Sequence, residues 1–183
     1  MLKRAVFLDR DDTIIKDKSY LSDPDGIEIL PRAAESIRLL NDHGLPVIMI
    51  TNQSGIARGI FTEERLHAIH KRLLSLLGDQ GAKIDAIYYC PHHPEGTVKG
   101  LAVSCSCRKP NPGMLLQAAK DFGLDLPASF MIGDKPDDIE VIHKVGGKGV
   151  LVQTGNHHDM EHADFIAEDL LQAAEWVLKE ITE

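Results

Sequence analysis

Residues 5–13 read AVFLDRDDT, an apolar run of four residues that is followed at once by charged and hydroxyl side chains. The run has the length and continuous hydrophobicity of a strand buried inside a parallel sheet. In open α/β sheets, ligands bind outside the carboxyl ends of the strands. The stretch therefore predicts a buried strand at residues 5–8 that brings Asp9 and Asp11 to a functional site.

The rest of the chain alternates between short apolar runs and amphipathic stretches. We predict further strands at residues 46–50, 84–89, 129–132, 149–152 and 163–166. We predict helices at residues 32–43, 113–122, 137–145 and 167–180, and one that begins after Thr62 as its N-cap. Strands that alternate with helices indicate a parallel sheet covered on both faces. Because we find no linker or repeat, we expect one domain that spans residues 1–183.

The bulk composition is that of an ordinary globular protein. The 183 residues are 43% hydrophobic and 26% charged, which is enough apolar material for a core. A net charge of -8 and a pI of about 5.5 argue against nucleic acid as a partner. No apolar run is long enough to cross a bilayer. We expect a cytoplasmic monomer that has neither a nucleic-acid nor a membrane partner.

Side chains suited to phosphoryl transfer follow several of the predicted strands. Asp9 follows the first strand, Thr51 follows the second, Lys109 follows a long loop, and Asp134 follows the strand at residues 129–132. Each of these alone is also typical of a solvated turn or a helix cap. Together they supply what phosphoryl transfer needs, which is positioning and charge stabilisation around the transferring group.

These residue types predict a division of labour. Asp9 can attack phosphorus and form an aspartyl phosphate, while Asp11 gives and takes the proton. Thr51 and Lys109 would hold phosphoryl oxygens. Asp9 and Asp134 would supply carboxylates to Mg²⁺, which prefers hard oxygen ligands and neutralises the charge of the attack.

Residues 91–112 have little periodicity and are predicted to form a long loop, and all three cysteines lie in or directly before it, in the pattern C-x-H…C-x-C over residues 90–107. Thiolates and an imidazole in a set of four are typical of a tetrahedral structural zinc site, here Cys90, His92, Cys105 and Cys107. Such a site would order a loop that has no core of its own. The alternatives are three free buried thiols and a site in which His93 competes as a ligand.

The motifs together resemble a known family. FLDRDDT, the strand end at Thr51, Lys109 and GDKPDD resemble the four motifs of the haloacid dehalogenase superfamily of phosphatases. TNQSGIARG, CPHHPEG and CSCRKPNPGM are similar to a narrower group, the D-glycero-D-manno-heptose 1,7-bisphosphate 7-phosphatases, which are related to histidinol phosphatases. The resemblance implies a Rossmann-like three-layer α/β/α fold without a large cap domain. It also implies Mg²⁺-dependent removal of the C7 phosphate of a phosphorylated sugar, in heptose supply for lipopolysaccharide.

The resemblance also implies roles for individual positions. Asp9 is expected to be the nucleophile and a Mg²⁺ ligand, and Asp11 the acid/base that also offers its backbone carbonyl to the metal. Asp134, with Lys135 beside it, matches the second Mg²⁺ position. The substrate-binding positions are Asp17, Lys18, Ser19, Tyr20, Asn52, Gln53, Ser54 and Arg108. The family usually has glycine at the position of Asp12.

Two alternatives remain open. A histidinol-phosphate phosphatase typically has a shorter zinc loop than the twelve residues that separate His92 from Cys105 here. A non-catalytic, zinc-stabilised binding domain predicts loss of the motif residues, which are present. Among the remaining histidines, we expect His67 and His70 on the surface, and His157, His158 and His162 in a solvated loop.

Overall fold

The computed structural model describes residues 3–155 and 162–182, and its centre is a six-stranded parallel sheet. The order across the sheet is β3-β2-β1-β4-β5-β6. The strands are β1 (Val6–Leu8), β2 (Val47–Asn52), β3 (Ala86–Cys90), β4 (Phe130–Gly133), β5 (Lys148–Val152) and β6 (Phe165–Ala167). β1 lies inside the sheet, where Leu8 is in register with Met49 of β2 and Ile132 of β4. The predicted parallel sheet is confirmed.

Helices cover both faces of this sheet. They are α1 (Ala33–Asp42), α2 (Glu63–Gly78), α3 (Gly113–Phe122), α4 (Pro136–His143) and α5 (Leu170–Thr182). α1, α2 and α5 pack on the face that carries Val6 and Leu8, while α3 and α4 pack on the face that carries Phe7. Alternate residues of β1 therefore feed two separate cores, which gives the expected α/β/α layers.

Element ends follow local chemistry, and several predicted ends differ from the structure by two or three residues. The Thr62 side chain accepts a hydrogen bond from the Arg65 N–H and caps α2 as predicted. The helix predicted from residue 167 begins only at Leu170, because β6 runs through Ala167 and the Asp169 carboxylate accepts the N–H of Gln172. β2 runs to Asn52, so Thr51 lies within the strand rather than after it.

The connections at the carboxyl end of the sheet are short or irregular. Residues 9–32 contain one 3₁₀ turn, Pro24–Gly26, and residues 91–112 contain no helix or strand. The described part of the chain therefore has no large cap domain. None of its helices is both long and apolar enough to cross a membrane. His157 and His158 lie outside the described residues.

Candidate active site

Asp9 follows the central strand β1, and the residue is 4% exposed. Lys109 Nζ donates to Asp9 Oδ1 at 2.8 Å, to Asp138 Oδ1 at 2.6 Å and to the Ile50 carbonyl at 3.1 Å. Burial acts to raise the pKa of Asp9, but the charges of Lys109 and Lys135 outweigh it and hold this pKa below its ordinary value. Asp9 is therefore an ionised carboxylate in a fixed position.

Asp134 lies beside Asp9 and lacks hydrogen-bond donors. Its side chain is fully buried, and neither carboxylate oxygen has a hydrogen-bond partner. Ligand atoms of Asp9, Asp134 and Asp138 lie within 4.8 Å of one another. Burial and the charge of Asp9 raise the pKa of Asp134 to about 8. Buried carboxylates without donors are costly unless a cation joins them, so these residues fit a divalent metal such as Mg²⁺.

Lys135 lies at the edge of this acidic cluster. Its Nζ is 3.8 Å from Asp134 Oδ1, and its backbone N–H donates to Asp138 Oδ2 at 3.1 Å. A charged ammonium has no lone pair, so the side chain cannot coordinate a metal. At the predicted Mg²⁺ position, this geometry allows the Lys135 ammonium to offset part of the negative charge of the carboxylates.

Asp11 is held from one side by its neighbour in sequence. Arg10 Nε donates to Asp11 Oδ1 at 3.1 Å and Arg10 Nη2 donates to Oδ2 at 3.0 Å, while Gln53 Nε2 donates to Oδ2 at 3.1 Å. Burial raises the pKa of Asp11, and the charge of Arg10 opposes the rise. A carboxyl group with a raised pKa suits a residue that must both give and take a proton.

The end of β2 is joined to the connection at residues 91–112, which carries Lys109. Asn52 Nδ2 donates to the carbonyl of Lys109 at 3.1 Å, and the Lys109 N–H donates to Asn52 Oδ1 at 3.0 Å. The Asn52 side chain therefore fixes the backbone of Lys109. Thr51 Oγ1 accepts from Gln53 Nε2 at 2.9 Å. The structure thus brings Thr51, Lys109 and Asp9 to one sheet edge.

A cavity of about 380 Å³ opens beside Asp11. Its volume lies in the range of small-molecule sites. The residues that line it include most of the predicted substrate positions: Asp17, Ser19, Tyr20, Asn52, Gln53, Ser54 and Arg108, together with Lys135 and Asp137. Lys18 is directed elsewhere, because its Nζ donates to the Gly26 carbonyl at 2.7 Å and pairs with Glu28 at 3.5 Å. Its predicted substrate contact remains a prediction.

Asp12, the position that departs from the family pattern, adopts a left-handed backbone conformation with φ of 53°. Glycine adopts this conformation without strain, and aspartate tolerates it better than most residues. Here Asp12 Oδ1 accepts the N–H of Asp17 at 2.8 Å, and the Asp12 N–H donates to the Ile15 carbonyl at 2.7 Å. Asp12 therefore closes the loop that carries Asp17 to the cavity.

The four predicted zinc ligands converge at the end of β3. The Sγ atoms of Cys90, Cys105 and Cys107 and Nδ1 of His92 are separated by 3.1 to 3.7 Å where they contact. A tetrahedral zinc ion would place such ligands about 3.6–3.8 Å apart. The three cysteines form no disulfide. His93 instead contacts Arg58 Nη2 at 3.2 Å, so the cluster fits zinc without it.

The chain is similar to known phosphatases along nearly its whole length. A family model described as HAD-hydrolase-like matches residues 106–174. The D-glycero-beta-D-manno-heptose-1,7-bisphosphate 7-phosphatases of Yersinia pestis and Escherichia coli K12 are 39% and 41% identical to it. Each match covers 98% of this chain, and 92% and 90% of those proteins. The chain belongs to the haloacid-dehalogenase-like phosphatases.

Two solved structures are also similar to this phosphatase along nearly its whole length. A D,D-heptose 1,7-bisphosphate phosphatase from B. bronchiseptica, solved with magnesium and phosphate, matches with a TM-score of 0.84 and 34% identity. The match covers 97% of this chain and 99% of that one. A HAD-like phosphatase from Mesorhizobium loti matches with a TM-score of 0.85 and 38% identity, over 96% and 88% of the two chains.

The sequence did not predict a role in this phosphatase site for three buried residues: Arg10, His70 and Asp138. The expectation that His70 is a surface residue is wrong, because it is 6% exposed and its Nε2 lies 3.4 Å from Arg10 Nη1. A signal was present, since residue 70 falls between Leu66 and Leu73 in the apolar stripe of α2. Asp138 is in the quoted GDKPDD run, but its contact with Lys109 joins residues 29 positions apart.

Proposed function

We propose that this phosphatase removes the 7-phosphate of D-glycero-D-manno-heptose 1,7-bisphosphate through a phosphoryl-enzyme formed on Asp9. The observation that carries the proposal is the ionised Asp9 carboxylate, held by Lys109 at 2.8 Å beside the Asp134 carboxylate, which accepts no hydrogen bond from the described residues. The substrate is that of the relatives to which the chain is 39% and 41% identical. The motif residues that a non-catalytic binding domain would lack are present and lie together.

The proposed reaction has two displacement steps. In the first, Asp9 Oδ2 attacks phosphorus, the bond from phosphorus to the sugar oxygen breaks, and Asp11 gives its proton to the leaving alkoxide. In the second, Asp11 takes a proton from a water molecule whose oxygen attacks phosphorus. The bond from phosphorus to Asp9 then breaks, which releases inorganic phosphate and restores the carboxylate. Thr51 and Lys109 would hold the phosphoryl oxygens in both steps, with Lys109 Nζ exchanging one of its three present acceptors for a phosphoryl oxygen.

Two metal ions belong to the proposal. Asp9, Asp134 and the backbone carbonyl of Asp11 would hold Mg²⁺, which supplies positive charge against the anionic phosphoryl group. The magnesium and phosphate complex of the related heptose bisphosphate phosphatase supports this assignment. Cys90, His92, Cys105 and Cys107 would hold a structural Zn²⁺ that orders residues 91–107.

The cavity gives the substrate its proposed place. Arg108 and Lys135 supply positive charge at the cavity wall, and Asp17, Asn52 and Ser54 supply hydrogen-bonding groups. A phosphorylated sugar needs both kinds of contact. We also propose that residues 1–183 form one domain, which the continuous six-stranded sheet supports.

A phosphate-release panel tests the proposal. The wild-type protein is assayed with Mg²⁺ on both anomers of the heptose bisphosphate and on histidinol phosphate, with phosphorus NMR to identify the position that is cleaved. We expect release of the C7 phosphate, and no release by Asp9→Asn. Asp42→Asn, at the exposed end of α1, is the matched control. Turnover by Asp9→Asn would refute the nucleophile, and a preference for histidinol phosphate would refute the substrate.

A further inference from the structure

A buried guanidinium group lies directly against the carboxylate of Asp11. Arg10 is 2% exposed, and its Nε and Nη2 donate to the two different oxygens of Asp11 at 3.1 and 3.0 Å. A bidentate pair of this kind fixes the plane of the carboxylate as well as its distance, which a single hydrogen bond does not. The orientation of Asp11 is therefore set by Arg10.

Arg10 is in turn held by residues from two other elements. Its Nη2 donates to Gln53 Oε1 at 3.0 Å, and its Nη1 lies 3.4 Å from His70 Nε2. Arginine can only donate, so Nε2 of His70 must be the acceptor and the ring must be neutral. Burial, and then the charge of Arg10, lower the pKa of His70 to about 3, which keeps the ring neutral.

Gln53 completes the arrangement from the end of β2. Its Oε1 accepts from Arg10, while its Nε2 donates both to Asp11 Oδ2 at 3.1 Å and to Thr51 Oγ1 at 2.9 Å. One amide thus links the guanidinium, the carboxylate and the hydroxyl. All of these groups except Asp11 are at least nine-tenths buried, so their positions are fixed by packing.

We propose that Arg10 is the positioning residue for Asp11 in both proton transfers, with His70 and Gln53 holding the guanidinium in place. The inference rests on the proposed role of Asp11 as acid/base. It assigns a purpose to a buried histidine on α2 that the reaction itself does not use. Lysine cannot replace Arg10 in this role, because a single ammonium does not present the planar pair of donors.

A competing role for Arg10 is direct contact with the substrate phosphate, since Arg10 also lines the cavity. The two roles differ in their dependence on the leaving group. Loss of an acid catalyst slows departure of an alkoxide strongly and departure of a stabilised phenolate only slightly. Loss of a phosphate contact weakens binding of every phosphate ester alike.

First-turnover rates of Arg10→Lys on the heptose bisphosphate and on 4-nitrophenyl phosphate separate these roles. General acid catalysis accelerates reactions by about 10²–10⁴-fold. We therefore expect Arg10→Lys to lower the first-turnover rate by about 10²-fold on the sugar phosphate and by less than about 3-fold on the aryl phosphate. His70→Leu, which removes the acceptor, should act in the same direction but more weakly. His70→Gln, which keeps an acceptor, should restore the rate.

Two outcomes would overturn the inference. Equal losses on the two substrates would indicate a structural role, and a raised KM with unchanged first-turnover rates would indicate a phosphate contact. If Arg10→Lys fails to fold, the His70 pair decides, because identical rates for His70→Leu and His70→Gln contradict positioning. A wild-type protein that is inactive on both esters would instead remove the proposed function, so the two failures are distinguishable.

Discussion

Replacing Asp134 by asparagine tests the electrostatic account of the site, because the change should remove activity and yet stabilise the Mg²⁺-free protein. The carboxylate is fully buried without a hydrogen-bond donor, and its pKa is raised from 3.8 to about 8. In Mg²⁺-free buffer the folded protein must therefore keep this group protonated at neutral pH, while the unfolded chain leaves it ionised. Folding therefore requires the Asp134 carboxylate to take up a proton, which costs free energy. The asparagine amide of the variant does not have this cost.

The magnitude follows from the size of the shift. Near pH 7, about three pH units above the unfolded pKa, the cost is about 4 kcal/mol. An asparagine amide left without partners costs about 1–3 kcal/mol, so we expect a net stabilisation of about 1–3 kcal/mol. An acid with a raised pKa contributes stability that is complete below the unfolded pKa and is lost as the pH rises towards 8. Relative to the variant, the wild type should therefore lose about 1.4 kcal/mol per pH unit.

Urea unfolding followed by the fluorescence of Trp176 measures this difference. Trp176 stacks on Phe165 with ring centroids 5.3 Å apart, so its emission reports on the core. Wild type, Asp134→Asn and the exposed control Asp42→Asn are compared between about pH 5 and 7.5 in Mg²⁺-free buffer, without a chelator that would also remove zinc. Added Mg²⁺ should stabilise the wild type and not Asp134→Asn.

An Asp134→Asn protein that is less stable than the wild type near pH 7 in Mg²⁺-free buffer would refute this account of Asp134. Parallel pH dependence of the two proteins would also refute it, because the raised pKa would then make no contribution. Stabilisation of Asp134→Asn by Mg²⁺ to the wild-type extent would remove Asp134 from the proposed metal site.

Three further changes have defined outcomes. Asp12→Asn keeps the acceptor for the Asp17 N–H and should retain KM, whereas Asp12→Gly should raise KM several-fold in steady-state assays; equal KM values would show that this hydrogen bond does not shape the cavity. Gly133→Ala places a methyl group against the carboxylate of Asp138. Thermal unfolding should show that the free energy of unfolding falls by about 1–3 kcal/mol, and turnover should be lower. Unchanged stability and turnover would contradict the close packing. Cys107→Ser should lower the zinc content from about one ion per chain and reduce activity, while full activity in a zinc-free protein would refute the structural role of the cluster.

Local sequence signals predicted most elements of the fold. The continuous apolar runs mark strands because both faces of this sheet are covered, and Thr62 and Gly123 mark helix ends through their own chemistry. The start of α5 was misplaced because only two residues, Glu168 and Asp169, separate β6 from the helix, and both are residue types that also occur in the first turn of a helix. The Asp169 carboxylate accepts the Gln172 N–H, and the Gln172 side chain accepts the Glu168 N–H; these contacts fix the start of the helix, and hydrophobic periodicity does not predict them.

The residues of the site also fall into two groups, those whose place the sequence predicted and those whose contacts it did not. Residues that follow strands, such as Asp9 and Asp134, could be placed because parallel strands present their carboxyl ends at one edge. The contacts of Arg10 with His70 and of Lys109 with Asp138 join positions 60 and 29 residues apart. The strand order and helix packing that create these contacts are not encoded in any one segment. The burial of His70 was indicated locally by the apolar stripe of α2, but its contact with Arg10 was not.

The walls of the cavity come from separate connections, each of which leaves the sheet after a different strand. Tyr20 follows β1, Ser54 follows β2, Arg108 follows β3 and Asp137 follows β4. Since loops tolerate sequence change far better than the strands they join, loop side chains such as Tyr20 and Ser54 can be replaced while the carboxylate at the end of β1 keeps its place. Such an architecture allows a lineage of enzymes to exchange one substrate for another in single small steps while the underlying chemistry is inherited intact.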